Sequence, residues 1–324
     1  MSLFGLCLFA ICGASFLALL NLGLHAAGPR LREITEGLKA QERATALFAL
    51  RFAPVVGALV FCLFFLLPAW ALHEPADSGE VASSRLVLAA ALAFVPVLAG
   101  LLRGALMFER TRHRLRSWRL AGSPSRRGDV RLVSVDSEDL ALCVGGYFRP
   151  AIYASSDLLS KLDADERDAA LAHETAHARA LDPLRVLLMA ACPDWLGLFK
   201  LDAEWRQAFA RACEFAADRD AAGGSPARAL DLASALLKVA RLGAPSASAA
   251  ALEGAALASA YSSGAELRAR VEALAMDSPP AARARAMRLP AISIPGFALT
   301  TLIAGFVLSG AVHEGVELIG RLLR

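Results

Sequence analysis

The chain has 324 residues, is 56% hydrophobic and carries a net charge of only +3. Its mean hydropathy of +0.48 excludes an ordinary soluble domain and directs the search to membrane spans. The six cysteines form no CxxC pair, so neither a disulfide framework nor a zinc knuckle is implied.

Four stretches approach the roughly 20 apolar residues that a crossing helix needs: 3–24, 53–72, 86–108 and 291–312. The first has no Lys or Arg before Arg30 and is too long for the apolar core of a signal peptide, so an uncleaved anchor is expected. Basic residues set the sidedness. The loop 25–50 carries Arg30, Arg32, Lys39 and Arg43, whereas 73–85 carries Glu74, Asp77 and Glu80 against Arg85. A dense run follows the third stretch, from Arg110 through Arg112, Arg114, Arg116 and Arg119 to Arg126 and Arg127. Directly behind a span such a run reads as a topology determinant touching anionic lipid, not as a nucleic-acid surface. Loop 25–50 is therefore expected inside and 73–85 outside. Both termini are expected outside, with no extracellular domain after the last span. The expected domains are 1–128, three spans with basic cytoplasmic loops; 129–290, a cytoplasmic domain; and 291–324, a fourth span with a short tail lying on the outer interface.

Within the cytoplasmic domain, "DVRLVSVDSEDLALCVGGYFRPAIYAS" (129–155) alternates and is rich in β-branched residues, with Gly145-Gly146 and Pro150 as punctuation. Asp163 with Glu166 three residues on predicts a capping box opening a helix over 164–181, ended by Asp182-Pro183. Further helices are predicted over 203–222, 226–242 and 264–275, and a basic linker over 276–290.

The first of these helices contains HExxH: His173, Glu174 and His177. Positions i and i+4 share a helix face, so both imidazoles can grip one ion while the Glu174 carboxylate reaches a water beside it. A catalytic zinc expects a third protein ligand. The other histidines sit at span edges or in the basic run. "RACEFAADRDAA" (211–222) offers Glu214, with Asp218 one turn later to accept a hydrogen bond from the free nitrogen of His173. Glu204 is held in reserve, and Cys213 is expected in the core. The apolar stretch 184–200 cannot cross the membrane once, because His177 and Glu214 would then face opposite sides. It must return, lie in the interface or pack in the domain; docking at the membrane surface beside the site is expected.

These residues resemble the integral-membrane zinc metallopeptidases of the BlaR/MecR antirepressor type, within the gluzincins. The likeness rests on three spans before the domain and one after, on "GGYFRPAIYASSDLL" (145–159), on "LAHETAHARALDP" (171–183), on "EFAAD" (214–218) and on "LRARVEAL" (267–274). It departs at "YASS", which lacks the family's proline, at the thinned basic pair after His177, and at the missing penicillin-binding sensor, so β-lactam sensing is not expected. The resemblance implies a mainly α membrane protein of four transmembrane helices with an α+β gluzincin domain between the third and fourth, in the bacterial inner membrane. It implies one Zn2+ per chain on His173, His177 and Glu214, with Glu174 as general base. It further implies cleavage of a cytoplasmic transcriptional repressor, of winged-helix kind, and sometimes of the chain itself; the Arg-rich linker 276–290 is expected as a self-cleavage target because tethering near the site raises its effective concentration. By the same analogy, substrate would pair as a strand with the edge formed by Gly145, Gly146, Tyr147, Phe148, Arg149, Pro150, Ala151, Ile152 and Tyr153. A quality-control peptidase of the HtpX type uses the same ligands, though with two spans on either side. A zinc-binding signalling scaffold without turnover is the remaining alternative, against which Glu174 stands.

Overall fold

A computed structural model describes residues 3–73, 82–136, 142–193, 201–241, 264–276 and 294–322. Its helices are α1 (Leu3–Glu36), α2 (Ala40–His73), α3 (Ser84–Ala121), α4 (Ser156–Lys161), α5 (Ala164–Ala180), α6 (Asp182–Ala191), α7 (Leu201–Ala222), α8 (Pro226–Arg241), α9 (Gly264–Ala275) and α10 (Ile294–Leu322). Four of them, α1, α2, α3 and α10, are long and apolar enough to cross a membrane. Large side chains such as Leu19, Leu59, Leu98, Leu101, Phe306 and Val307 stand exposed on them, as lipid-facing positions do.

The spans do not stop where their apolar runs stop. At 1.5 Å per residue, the 38 residues of α3 reach about 57 Å, nearly twice the ~30 Å hydrocarbon thickness. The basic run from Arg110 is the continuation of that helix. Likewise 25–50 is not a loop: α1 persists to Glu36 and α2 begins at Ala40. The reason is packing. Ala44 and Leu47 of α2 are fully buried with Trp205 and Phe209 of α7, and Leu24 and Leu31 of α1 rest on the same cluster.

The four-stranded mixed sheet has the order β1 (Ser123–Arg127), β2 (Val130–Val135), β4 (Ala151–Ser155), β3 (Leu142–Gly145). Only the β2–β4 pairing is parallel. Strand β1 holds Arg126 and Arg127, so the sheet reaches back across residue 128. It is riveted to the end of α3: Leu115 and Trp118 pack with Val133, Val135 and Tyr153, and Arg119 Nε donates to Tyr153 Oη at 2.6 Å. The other face receives α5, whose Leu171 and Ala178 pack on Val144 and Ile152.

Helix α6 settles the fate of the first half of 184–200. It lies on α2 and α3 themselves, with Val186 and Met189 joining the α2–α7 cluster. A Cβ on Gly100 of α3 would stand 2.5 Å from the Ala191 carbonyl oxygen, and Arg103 Nη2 donates to the Cys192 carbonyl at 3.1 Å. Residues 194–200 and the linker beyond Met276 lie outside the described residues.

The fourth long helix also differs from expectation. It runs unbroken to Leu322, so the tail is helix and not a separate interfacial segment. Val316 and Ile319 pack on Phe4, Leu8 and Leu86, which gives those apolar side chains a protein partner.

Candidate metal centre

Helix α5 begins at the expected box: the Glu166 amide donates to Asp163 Oδ1 at 2.9 Å and the Asp163 amide to Glu166 Oε2 at 3.0 Å. It ends at Leu181, whose φ of 56° makes it the one non-glycine residue with positive φ among those described. An αL leucine costs roughly 1–2 kcal/mol, and the turn it makes brings Asp182 back under the helix. There His177 Nδ1 meets Asp182 Oδ2 at 2.8 Å.

The opposite nitrogens converge. His173 Nε2 and His177 Nε2 are 3.1 Å apart. Glu214, from α7, places Oε2 3.5 Å from the first and Oε1 3.6 Å from the second. Donors on a tetrahedron with bonds of about 2.0–2.1 Å stand about 3.3 Å apart. The three spacings bracket that value, so the residues fit a zinc ion. Glu214 is 1% exposed. Glu174 is buried on the flank of the same helix.

A second layer holds this set. His173 Nδ1 lies 3.0 Å from Asp218 Oδ1, in ionic contact but off the hydrogen-bonding direction. Arg270 of α9, 1% exposed, donates to Asp218 through Nε at 2.8 Å and Nη2 at 2.6 Å. Its Nη1 lies 2.6 Å from Glu214 Oε2. Electrostatics follow from this layout. Burial disfavours a charged His173 ring, yet the Asp218 and Glu214 carboxylates outweigh it and push the ring up to about 10. Burial would raise Glu214 and Asp218, but the Arg270 guanidinium holds both below the usual carboxylate range. At Glu174 burial wins over the neighbouring rings and pushes the carboxyl up.

The sequence model of peptidase family M48 matches residues 109–278, just over half of the chain. The chain belongs to peptidase family M48. No curated protein and no solved structure matches it. M48 membership makes it a metallopeptidase, and the His-His-Glu cluster lies inside the matched region, as do the whole sheet and α3 from Glu109.

Among the sequence expectations for this M48 centre, His173, His177, Glu214 and Asp218 are brought together and Glu174 stands beside them. Cys213 is buried in the α2–α7 cluster. Glu204 is elsewhere, paired to Arg32 at 2.7 Å with its side chain 51% exposed. The edge-strand assignment needs correction. Ala151, Ile152 and Tyr153 belong to β4, which is paired on both sides and has no backbone groups to offer. Gly146 to Pro150 form the connection, where Tyr147 donates to Thr111 at 2.9 Å and Phe148 is 75% exposed. Of the nine residues only Gly145 lies on β3, whose second side is unpaired among the described residues. Asp182 and Arg270 were missed. Asp182 read as a helix stop before Pro183. Arg270 left one signal: it interrupts the stripe Leu267–Leu274, both packed on the core, and a buried Arg requires acidic partners.

Proposed function

We propose that this M48 peptidase is a membrane-embedded zinc metalloendopeptidase acting at the cytoplasmic face of a bacterial inner membrane. The observation that carries the reading is the convergence of His173, His177 and Glu214 at 3.1–3.6 Å beside the buried carboxylate of Glu174. His173, His177 and Glu214 would hold the ion. Zinc, when bound, supplies Lewis-acid polarisation of the scissile carbonyl and of the attacking water. Glu174 accepts the proton of that water and delivers it to the leaving nitrogen. Asp182 and Asp218 fix the two rings, and Arg270 keeps Glu214 and Asp218 ionised where burial would protonate them. A substrate segment lies extended along the open side of β3, since backbone pairing tolerates varied sequences. Strand β3 suits this because its Val144 packs on α5, the helix that carries the two histidines.

The substrate we infer is a cytoplasmic transcriptional repressor of winged-helix type, with the linker near 276–290 as a site of self-cleavage. The three-plus-one arrangement of spans and the resemblance to the antirepressor type support this. A second reading, degradation of damaged membrane proteins in the HtpX manner, is favoured by the lodging of α6 against α2 and α3, which ties the centre to the spans. Purified wild type and Glu174→Gln, each presented with a winged-helix repressor and with an unfolded membrane protein, separate these readings. The variant should retain zinc and lose about 10²–10⁴-fold in cleavage rate. Equal cleavage by both proteins would overturn the enzymatic assignment.

A further inference from the structure

The sheet is fastened to α3 in a way that turns one of its ends toward the bilayer. Tyr147, in the β3–β4 connection, donates to Thr111 at 2.9 Å and stacks on Phe108 with ring centroids 5.4 Å apart. One turn further along α3, Leu115 fills the space where a Cβ on Gly145 would stand. At the end of the helix, a Cβ on Gly122 would stand 2.5 Å from Val133 and 2.9 Å from the Ser134 carbonyl oxygen. The helix therefore passes from the β3–β4 connection toward the far ends of β2 and β4. Gly145 pairs with Ala151, Ala151 with Arg131, and Arg131 with Arg126. The β1–β2 turn at Gly128-Asp129 thus lies at the same end of the sheet as the connection Gly146–Pro150.

That end is level with the edge of the apolar run of α3, which closes at Phe108 after the exposed Leu98, Leu101, Leu102 and Leu106. The connection is a tight turn. Gly146 has φ 98°, and a Cβ there would stand 3.2 Å from the Arg149 carbonyl oxygen. Phe148 and Arg149 are exposed on this turn. Of the Phe, Tyr and Trp rings described outside the long helices, only Phe148 is exposed. An aromatic ring and a guanidinium on one turn at this height have the composition of an interfacial anchor.

A second observation at the same end is independent of the first. Arg126 and Arg131 stand directly opposite each other on β1 and β2, and both are exposed. Like charges so placed destabilise a sheet. Neither has an acidic partner within salt-bridge distance among the described residues. Asp129, in the turn between the two strands, is bound to Arg179 at 3.0 Å. Anions set between two guanidiniums relieve such a pair, and phosphate is the anion that arginine binds with paired hydrogen bonds.

We propose that Phe148, Arg149, Arg126 and Arg131 form a docking surface for the anionic lipid of the adjoining leaflet. Phe148 enters the boundary between headgroups and acyl chains, and the three arginines bind lipid phosphates. The Gly145–Arg126 row lies about 10 Å past Phe108 along α3. The headgroup layer accounts for about 5–7 Å of that distance, and an extended arginine spans the remainder. Docked in this way, the open side of β3 starts at the lipid surface. The surface rests on α3 being a span and not on the peptidase chemistry.

The test is depth-resolved fluorescence quenching. Full-length protein is placed in nanodiscs of phosphatidylcholine and phosphatidylglycerol in equal parts, with brominated acyl chains, and the emission of the native tryptophans is subtracted. Leu101→Trp, within the span, should be quenched, and Leu120→Trp, about 18 Å past Phe108, should not. Phe148→Trp should follow Leu101→Trp. With bromine on phosphatidylglycerol alone, its quenching should be about 2-fold that with bromine on phosphatidylcholine alone. Replacing Arg126, Arg131 and Arg149 together by Gln should abolish that excess. Melting profiles in neutral detergent should show the triple variant folded and no less stable, since it relieves a like-charge pair. Phe148→Trp emission that escapes quenching as Leu120→Trp does would overturn the proposal, and a shift of that emission on adding an unfolded membrane protein would assign the turn to substrate instead. Equal quenching by the two lipids would overturn the arginine role. An unquenched Leu101→Trp would overturn the span and the docking surface with it.

Discussion

Arg270 and Glu214 meet at 2.6 Å in the interior of the domain, 1% exposed each. The same guanidinium grips Asp218 with its other edge, so one cation from α9 balances two buried carboxylates of α7. Removing it leaves two uncompensated charges. Arg270→Met should cost about 3–5 kcal/mol of stability when a chelator is present. Saturating zinc should return part of that loss, because an ion that binds only the folded state stabilises it by mass action. Thermal unfolding in detergent, with and without chelator, measures both effects, and an unchanged melt of the metal-free variant would remove the structural role given to Arg270.

Asp182 stands behind His177 as Asp218 stands behind His173, but through an aligned 2.8 Å bond. Asp182→Asn keeps the shape and surrenders the charge. Zinc affinity should fall about 10–100-fold, measured by competition with a coloured chelator. Arg185→Gln, which touches the outer side of Asp182 at 3.6 Å, should change affinity much less.

The contact between Gly100 and Ala191 links a span to the helix that begins at Asp182. Any side chain on Gly100 meets backbone, which cannot rotate away. Gly100→Ala should therefore push α6 off α3, with an overpacking cost of about 1–3 kcal/mol and a lower peptidase rate. Gly23→Ala, whose added Cβ meets nothing within 4 Å, serves as the control. Equal rates for the two variants would show that the span does not brace the centre.

Glu166 accepts from Ser234 at 2.6 Å and from Lys238 at close range, tying α5 to α8. Burial would raise its carboxyl, but the Lys238 ammonium and the Ser234 hydroxyl outweigh that and hold it below the usual range. A carboxyl depressed in the folded state contributes stability that is complete above its unfolded value, about 4.3, and that drains away as pH falls through the folded value. Glu166→Gln should flatten that acid limb and lower stability at neutral pH by about 1–3 kcal/mol. Melting temperatures between pH 7 and pH 3 give the comparison.

Local chemistry was legible in the chain alone. The 3.6-residue period places His173 and His177 on one face, the Asp163–Glu166 box starts their helix, and the spacing of Glu214 and Asp218 puts both on one side of α7. Apolar run length also identified the four long helices. Their ends, and everything that depends on contact between distant segments, took shape only in three dimensions. The break between α1 and α2, from Glu36 to Ala40, cannot be read from hydropathy, because Leu31 and Ala44 pack against α7 instead of lipid. The αL turn at Leu181 has no glycine to announce it. Arg270 lies 52 residues from Asp218 in the chain, and Ser309 236 from His73. Periodicity carries no information over such separations; close packing and the need to pair every buried charge supply it.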